Sequence, residues 1–205
     1  EALVVVALVK DDGSLLELRE VTSGKLIQRF LSPDNPLEEL EFDFRQRLLA
    51  LSGQKRIELW NLEEIETKTT PSEISRYRIW QQETKTSGEM RFSLKSAKLR
   101  WIEGKELKEI PIKPPFIESK VWTGTESGEL DNFEFDPDEK ILALTEKGNT
   151  QIRILQPWQN QIRPSLDYHH FPVADMFFPD KDQIISLDRE QNLAWGEITS
   201  RRKGS

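Results

Sequence analysis

Apolar and polar residues alternate along this chain in short runs, and the runs stop at turn-forming residues. Leu40, Phe42 and Phe44 alternate with Glu39, Glu41 and Asp43, the two-residue period of a strand with one buried face. The same segment also fits a helix, because Leu37, Leu40, Phe44, Leu48 and Leu51 fall at helical spacing. A second copy resolves the ambiguity. Glu41-Phe-Asp-Phe-Arg-Gln-Arg-Leu-Leu-Ala-Leu51 returns 93 positions later as Glu134-Phe-Asp-Pro-Asp-Glu-Lys-Ile-Leu-Ala-Leu144. Pro137 and Asp138 stand where a helix would have to continue, so both copies read as strand, turn, strand. A third copy, Phe177 to Leu187, starts 42 residues after Phe135 with one residue inserted in its turn.

The same grammar extends on either side of the copies. Leu48 to Ser52 runs into the polar turn 53–56 and then into Ile57-Glu-Leu-Trp60, another alternating strand. Ile141 to Thr145 leads through Lys147-Gly-Asn149 to Gln151-Ile-Arg-Ile-Leu155. Near the start, Leu3 to Val9, Leu16 to Leu18 and Lys25 to Phe30 read as three successive strands. The stretch 62–128 is less regular. It offers strands at Arg76 to Trp80, Glu89 to Leu94, Lys98 to Ile102 and Leu107 to Ile112, with loops at Glu63 to Ser75 and Lys113 to Phe116. Short strands with dense turns predict an antiparallel all-β architecture, and a period near 42 lies in the roughly 40 to 50 residue range of propeller blades.

Composition narrows the partners. A net charge of -7 over 205 residues argues against broad attraction to nucleic acid or an anionic membrane surface, and a local basic patch is not favoured. The run Leu3 to Val9 is too short to span a bilayer, so no membrane insertion is expected. There are no cysteines, which removes disulfides, thiolate metal sites and a cysteine nucleophile, and no Asn-x-Ser/Thr acceptor occurs. Both features fit a cytoplasmic protein. The chain begins at Glu1 rather than Met, as a processed chain or an excised piece of a longer one would, and 201–205 reads as a disordered or cloning-derived tail.

With these turns in place, 1–200 resembles a segment of a WD-repeat β-propeller with degenerate repeats. Arg56-Ile-Glu-Leu-Trp-Asn61 is similar to the strand ending in the family's Trp-Asp pair, with Asn61 for Asp. Ser14 to Lys25 resembles the same strand and its Gly-Lys turn, with Arg19 in the Trp position; Leu99-Arg-Trp101 with Gly104-Lys105 is a shortened third likeness. Phe135-Asp-Pro-Asp138 and Phe178-Pro-Asp180 match part of the family's Phe-Ser-Pro-Asp-Gly turn. The resemblance implies a hydrogen-bonded structural set of His170, Ser186, Asp188 and Trp195, although His169 replaces the family's Gly and Gly196 its Asp. It also implies about four to five four-stranded antiparallel blades. The first unit lacks its innermost strand and the last its outermost, so the expectation is an incomplete arc or part of a larger propeller.

Candidate chemistry is sparse. His169 and His170 are adjacent, and neighbours on a strand point to opposite faces, so they do not jointly ligate a metal. The Asp136/Asp138 and Asp180/Asp182 pairs lack the rest of a calcium loop and read as turns. Glu39, Glu41, Asp131, Glu134 and Asp175 lie on or beside predicted inner strands, where two carboxylates could serve glycoside hydrolysis. No phosphate loop, Gly-x-Ser-x-Gly elbow or His-Glu-x-x-His motif occurs, and no cofactor or metal is expected. Of the six tryptophans, Trp60 and Trp195 end alternating strands and are expected to pack between blades; Trp80, Trp122 and Trp158 border irregular stretches and are candidate partner anchors.

The expected function is a non-catalytic protein-interaction platform, a scaffold or sensor segment whose propeller is completed by another chain or a missing segment. The alternatives are a five-bladed glycosidase or carbohydrate-binding propeller, and a structural subunit of a large assembly.

Overall fold

The computed structural model describes residues 3–10, 13–31, 37–43, 45–53, 56–63, 74–86, 88–93, 95–124, 128–159, 161–162 and 165–198. Among them, eighteen strands form five sheets, each built from strands consecutive in the chain. Sheet one contains β1 (Leu3–Lys10), β2 (Gly13–Glu20) and β3 (Leu26–Leu31). Sheet two contains β4 (Leu37–Asp43), β5 (Leu48–Gly53), β6 (Arg56–Asn61) and β7 (Arg78–Glu83). In sheet three, β8 (Met90–Ser93), β9 (Lys98–Glu103), β10 (Glu106–Pro111) and β11 (Ser119–Thr123) follow in order. Sheet four holds β12 (Leu130–Phe135), β13 (Leu142–Glu146), β14 (Arg153–Gln156) and the short β15 (Gln161–Ile162). Sheet five closes the series with β16 (Val173–Asp180), β17 (Gln183–Asp188) and β18 (Leu193–Glu197). Sheets one and five have three strands where the resemblance implies four.

Side-chain oxygens of short polar residues set the first turn of each later sheet. Asp43 Oδ1 accepts the amide N–H groups of Arg45 (2.9 Å) and Gln46 (3.2 Å), and Arg47 adopts φ 52°. Asp136 does the same for Asp138, Lys140 and Ile141, with Glu139 at φ 56°. In sheet three Ser93 Oγ takes the Ser96 amide at 3.0 Å, with Ala97 at φ 51°. In sheet five Asp180 takes the Asp182 amide at 2.9 Å. Such side chains imitate a backbone turn, which is why a degenerate sequence still yields one repeated hairpin. Sheet three is thus a further copy of the unit, inside the stretch that the pattern leaves irregular. There the strand expected at Arg76 to Trp80 starts two residues later, after a 3₁₀ turn at Ile74–Tyr77. Gln54 and Lys55 of the expected 53–56 turn, most of the Glu63 to Ser75 loop and the 201–205 tail lie outside the described residues.

The chain divides into two compact units: Glu1–Gly104 with Glu109–Glu118, and Lys105–Lys108 with Ser119–Ser205. In the first unit, Leu16 and Leu18 of β2 pack against Leu49, Leu51 and Trp60 of sheet two. The opposite face of sheet two, Leu48, Ala50, Ile57 and Leu59, packs against Met90, Leu99, Trp101, Ile110 and Ile112 of sheet three and its flank. In the second unit, Ile141, Ala143, Ile152 and Ile154 meet Val173, Met176, Phe178 and Ile184. Each fully buried Leu or Ile contributes about 1.5–3 kcal/mol, so face-to-face sheet contacts are the main source of stability.

Buried ion pairs supplement this packing. The Glu58 carboxylate accepts from Trp60 Nε1 (3.0 Å) and Arg78 Nη1 (2.7 Å). Glu109 receives Arg100 Nε at 3.1 Å and the Lys98 ammonium. Glu17 is clamped by Arg19 (Nε, 2.8 Å) and Arg29 (Nε, 2.9 Å). Those guanidinium hydrogen bonds, Arg19 first, hold the Glu17 carboxyl below its ordinary value against the opposing effect of burial.

Candidate functional site

On β17, Ser186 and Asp188 are two residues apart and therefore share a face. His169, just ahead of β16, lies over them: its Nε2 is 2.7 Å from Ser186 Oγ and its Nδ1 is 3.4 Å from Asp188 Oδ2. The Asp188 carboxylate also accepts the backbone N–H of Asn192 (2.9 Å), the Asn192 side-chain amide and the backbone N–H of Glu190 (3.0 Å). Burial pushes this carboxyl up, but the hydrogen bonds from Asn192, Glu190 and His169 outweigh it and hold the group below the usual aspartate value. The bonding order Ser–His–Asp is that of an acyl-transfer triad. All three side chains are buried, however, so the set ties the segment before β16 to the sheet rather than presenting a nucleophile to a substrate.

Two sequence expectations are corrected here. The histidine in the set is His169, and His170 is exposed. Neighbouring residues on extended backbone point opposite ways, so an assignment off by one selects the wrong ring. Trp195 is not packed between blades; it is 55% exposed. In sheet two, Trp60 pairs with Leu49, whose side chain enters the core shared with sheet one. In sheet five the corresponding inward residue of β17 is Ile184, and its partner is Gly196. A Cβ at Gly196 would lie 2.6 Å from Cε2 of Tyr168, so that ring occupies the side-chain position next to the glycine. Trp195, one residue earlier, falls on the other face.

That other face is open and apolar along its middle, with Asp175 and the Gln183–Glu197 pair at its margins. Phe177, Ile185 and Trp195 lie in register across β16, β17 and β18, and exposed Asp175 with Leu187 and Leu193 forms the next row. Phe177, Leu193 and Trp195 are 51%, 70% and 55% exposed. Cross-strand apolar rows of this kind are core-forming elsewhere in the chain. One signal for the open face was present in the sequence: of two adjacent aromatics on a strand, Phe177 and Phe178, one must face away from the core.

The other candidates are dispersed. Trp60 is buried, its indole bonded to Glu58. Trp80 is half-buried, its ring 5.8 Å from that of buried Trp101. Trp122 is half-buried on β11, and Trp158 is exposed in a 3₁₀ turn with its N–H donated to the Glu139 carbonyl at 2.9 Å. Among the acids, Asp131 pairs with Arg189 at 3.3 Å, Asp175 accepts the Met176 amide at 2.8 Å, and Glu134 is half-buried on β12. Burial raises the Glu39 and Glu41 carboxyls, and the Arg91 charge opposes the rise in both. Among the described residues, no three His, Asp or Glu side chains are grouped to hold a metal ion, and no helix is long and apolar enough to cross a membrane.

Successive small antiparallel sheets packed face to face define a β-propeller fold, and comparison with solved structures agrees. The chain is similar to Hsv2 of Kluyveromyces marxianus (13% identity, TM-score 0.68, covering 96% of this chain and 60% of that one). It is equally similar to Hsv2 of Kluyveromyces lactis (14% identity, TM-score 0.69, covering 96% and 59%). A second Kluyveromyces lactis Hsv2 structure, with a complete loop 6CD, matches at 13% identity and TM-score 0.68, covering 96% and 58%. The chain therefore spans about 60% of the length of these structures. No protein-family model matches it, and no curated protein matches by sequence.

Proposed function

We propose that this chain is a non-catalytic protein-interaction platform, an intracellular propeller segment completed by a further blade. The observation that supports this most directly is the open face of sheet five. In sheet two, the face carrying Leu48, Ala50, Ile57 and Leu59 is covered by the next sheet, and in sheet four the face carrying Ile141, Ala143, Ile152 and Ile154 is covered likewise. Sheet five carries Phe177, Ile185, Leu187, Leu193 and Trp195 on its free face, a surface suited to another sheet of the same kind. Propeller sheets hold many loops at fixed positions, which suits recognition without a reactive group.

Light scattering and binding of the dye ANS on the purified chain test this reading. The chain alone should associate beyond its 23.9 kDa monomer mass or bind the dye. Phe177→Asp combined with Leu193→Asp should reduce both signals. A monodisperse monomer that binds no dye would overturn the proposal.

A further inference from the structure

A cavity of about 600 Å³ opens between sheets two and three, within the first unit. Its floor is apolar: Leu48, Ile79, Ile112 and Phe116 belong to the core shared by these two sheets. Among the described residues its rim carries three cations, Arg45, Arg47 and Lys113, against one carboxylate, Glu63. In a chain of net charge -7, three cations to one carboxylate among the described residues around an apolar hollow run against the overall composition. A purely structural gap between sheets has no need of it.

The rim is also held in place. Asp43 fixes the turn that bears both arginines through the Arg45 and Gln46 amides, and the Gln46 side chain adds a bond to Asp43 Oδ2 at 3.1 Å. The Arg47 carbonyl accepts the Leu62 amide at 2.7 Å, which ties that turn to the end of β6. Lys113 stands directly before the Pro114-Pro115 pair, and the Ile117 amide is bonded to the Pro115 carbonyl at 3.0 Å. A backbone fixed in this way leaves only the cationic side chains to be ordered on binding. The cavity volume is within the roughly 300–1,000 Å³ range of ligand pockets, enough for one or two bulky side chains.

We propose that this cavity is a docking site for an acidic linear peptide, which inserts one bulky apolar side chain between sheets two and three and sets its carboxylates against Arg45, Arg47 and Lys113. The apolar floor decides against a simple anion: a phosphate group would satisfy the cations and leave Ile79 and Phe116 facing water. The cationic rim decides against a neutral apolar peptide. This inference rests on the platform reading and names the partner's chemistry, but it uses a surface separate from the sheet-five face.

The test is an array of short labelled peptides that varies net charge and the presence of a Leu, Phe or Trp anchor, probed with the whole chain. Binding is expected only for acidic peptides with an anchor, and it should weaken as salt rises, because the rim charges are exposed. The double variant Arg45→Glu with Lys113→Glu, at two exposed positions, should lower affinity about tenfold or more. Phe116→Ala should weaken anchored peptides selectively. Phe177→Asp, which tests the platform reading at sheet five, should leave peptide binding unchanged, so the two ideas fail separately. The proposal is overturned by an array without signal, by equal binding of basic peptides, or by binding that survives the charge reversal. Equal binding of unanchored acidic peptides, with full competition from inorganic phosphate, would overturn it as well, by showing a general anion site.

Discussion

Replacing Trp60 and Trp195 in turn by alanine separates two residues that occupy similar places in the sequence pattern. Trp60 is 1% exposed and packs among Leu16, Leu18, Leu49, Leu51 and Tyr77, with its indole N–H on Glu58. A buried Trp removes about 200 Å² from water, which at about 25 cal/mol per Å² sets an upper bound near 5 kcal/mol. Truncation to Ala keeps the Cβ but leaves a cavity, and such changes cost about 3–5 kcal/mol. Glu58 retains Arg78 at 2.7 Å after the change, so no unpaired buried charge adds to the loss. Trp195 is mostly exposed, and its replacement should cost less than about 1 kcal/mol. The assay is urea unfolding followed by far-ultraviolet circular dichroism, with midpoint and slope both recorded because the residues lie in different compact units. A loss at Trp60 under about 1 kcal/mol, or equal losses at the two positions, would refute the face assignment.

Glu109→Ala should destabilise the first unit by about 3–5 kcal/mol, because Arg100 is buried and would keep its charge without this partner; a shift within the noise of urea unfolding would show that Arg100 finds water. His169→Ala should cost about 1–3 kcal/mol by stripping partners from buried Ser186 and Asp188, whereas His170→Ala should change stability by less than about 0.5 kcal/mol. The reverse order in thermal melts would restore His170 to the set. Glu17 has a lowered carboxyl pKa, so its contribution is present above the ordinary glutamate value of 4.5 and lost as pH falls through the lowered folded value. The melting-temperature deficit of Glu17→Gln should therefore be largest near neutral pH and shrink in acid, and a deficit independent of pH would contradict the clamp by Arg19 and Arg29.

The strands and turns of the repeat are legible along the chain because both are local. Alternation of period two and a side chain capping its own turn need only neighbours in the chain, so the copies at Glu41 and Glu134 could be read directly. In sheet three the strands were legible but the matching turn was not, because Ser93 does there what Asp43 and Asp136 do elsewhere, a substitution that leaves little trace in a pattern. Which face each residue occupies depends on how the sheets pack. A shift of one residue reverses every side chain on a strand, and that shift is what buries His169 rather than His170 and turns Trp195 outward where Gly196 faces the core. The basic cavity was equally invisible, since Arg45 and Lys113 are brought around one hollow only when two sheets pack face to face.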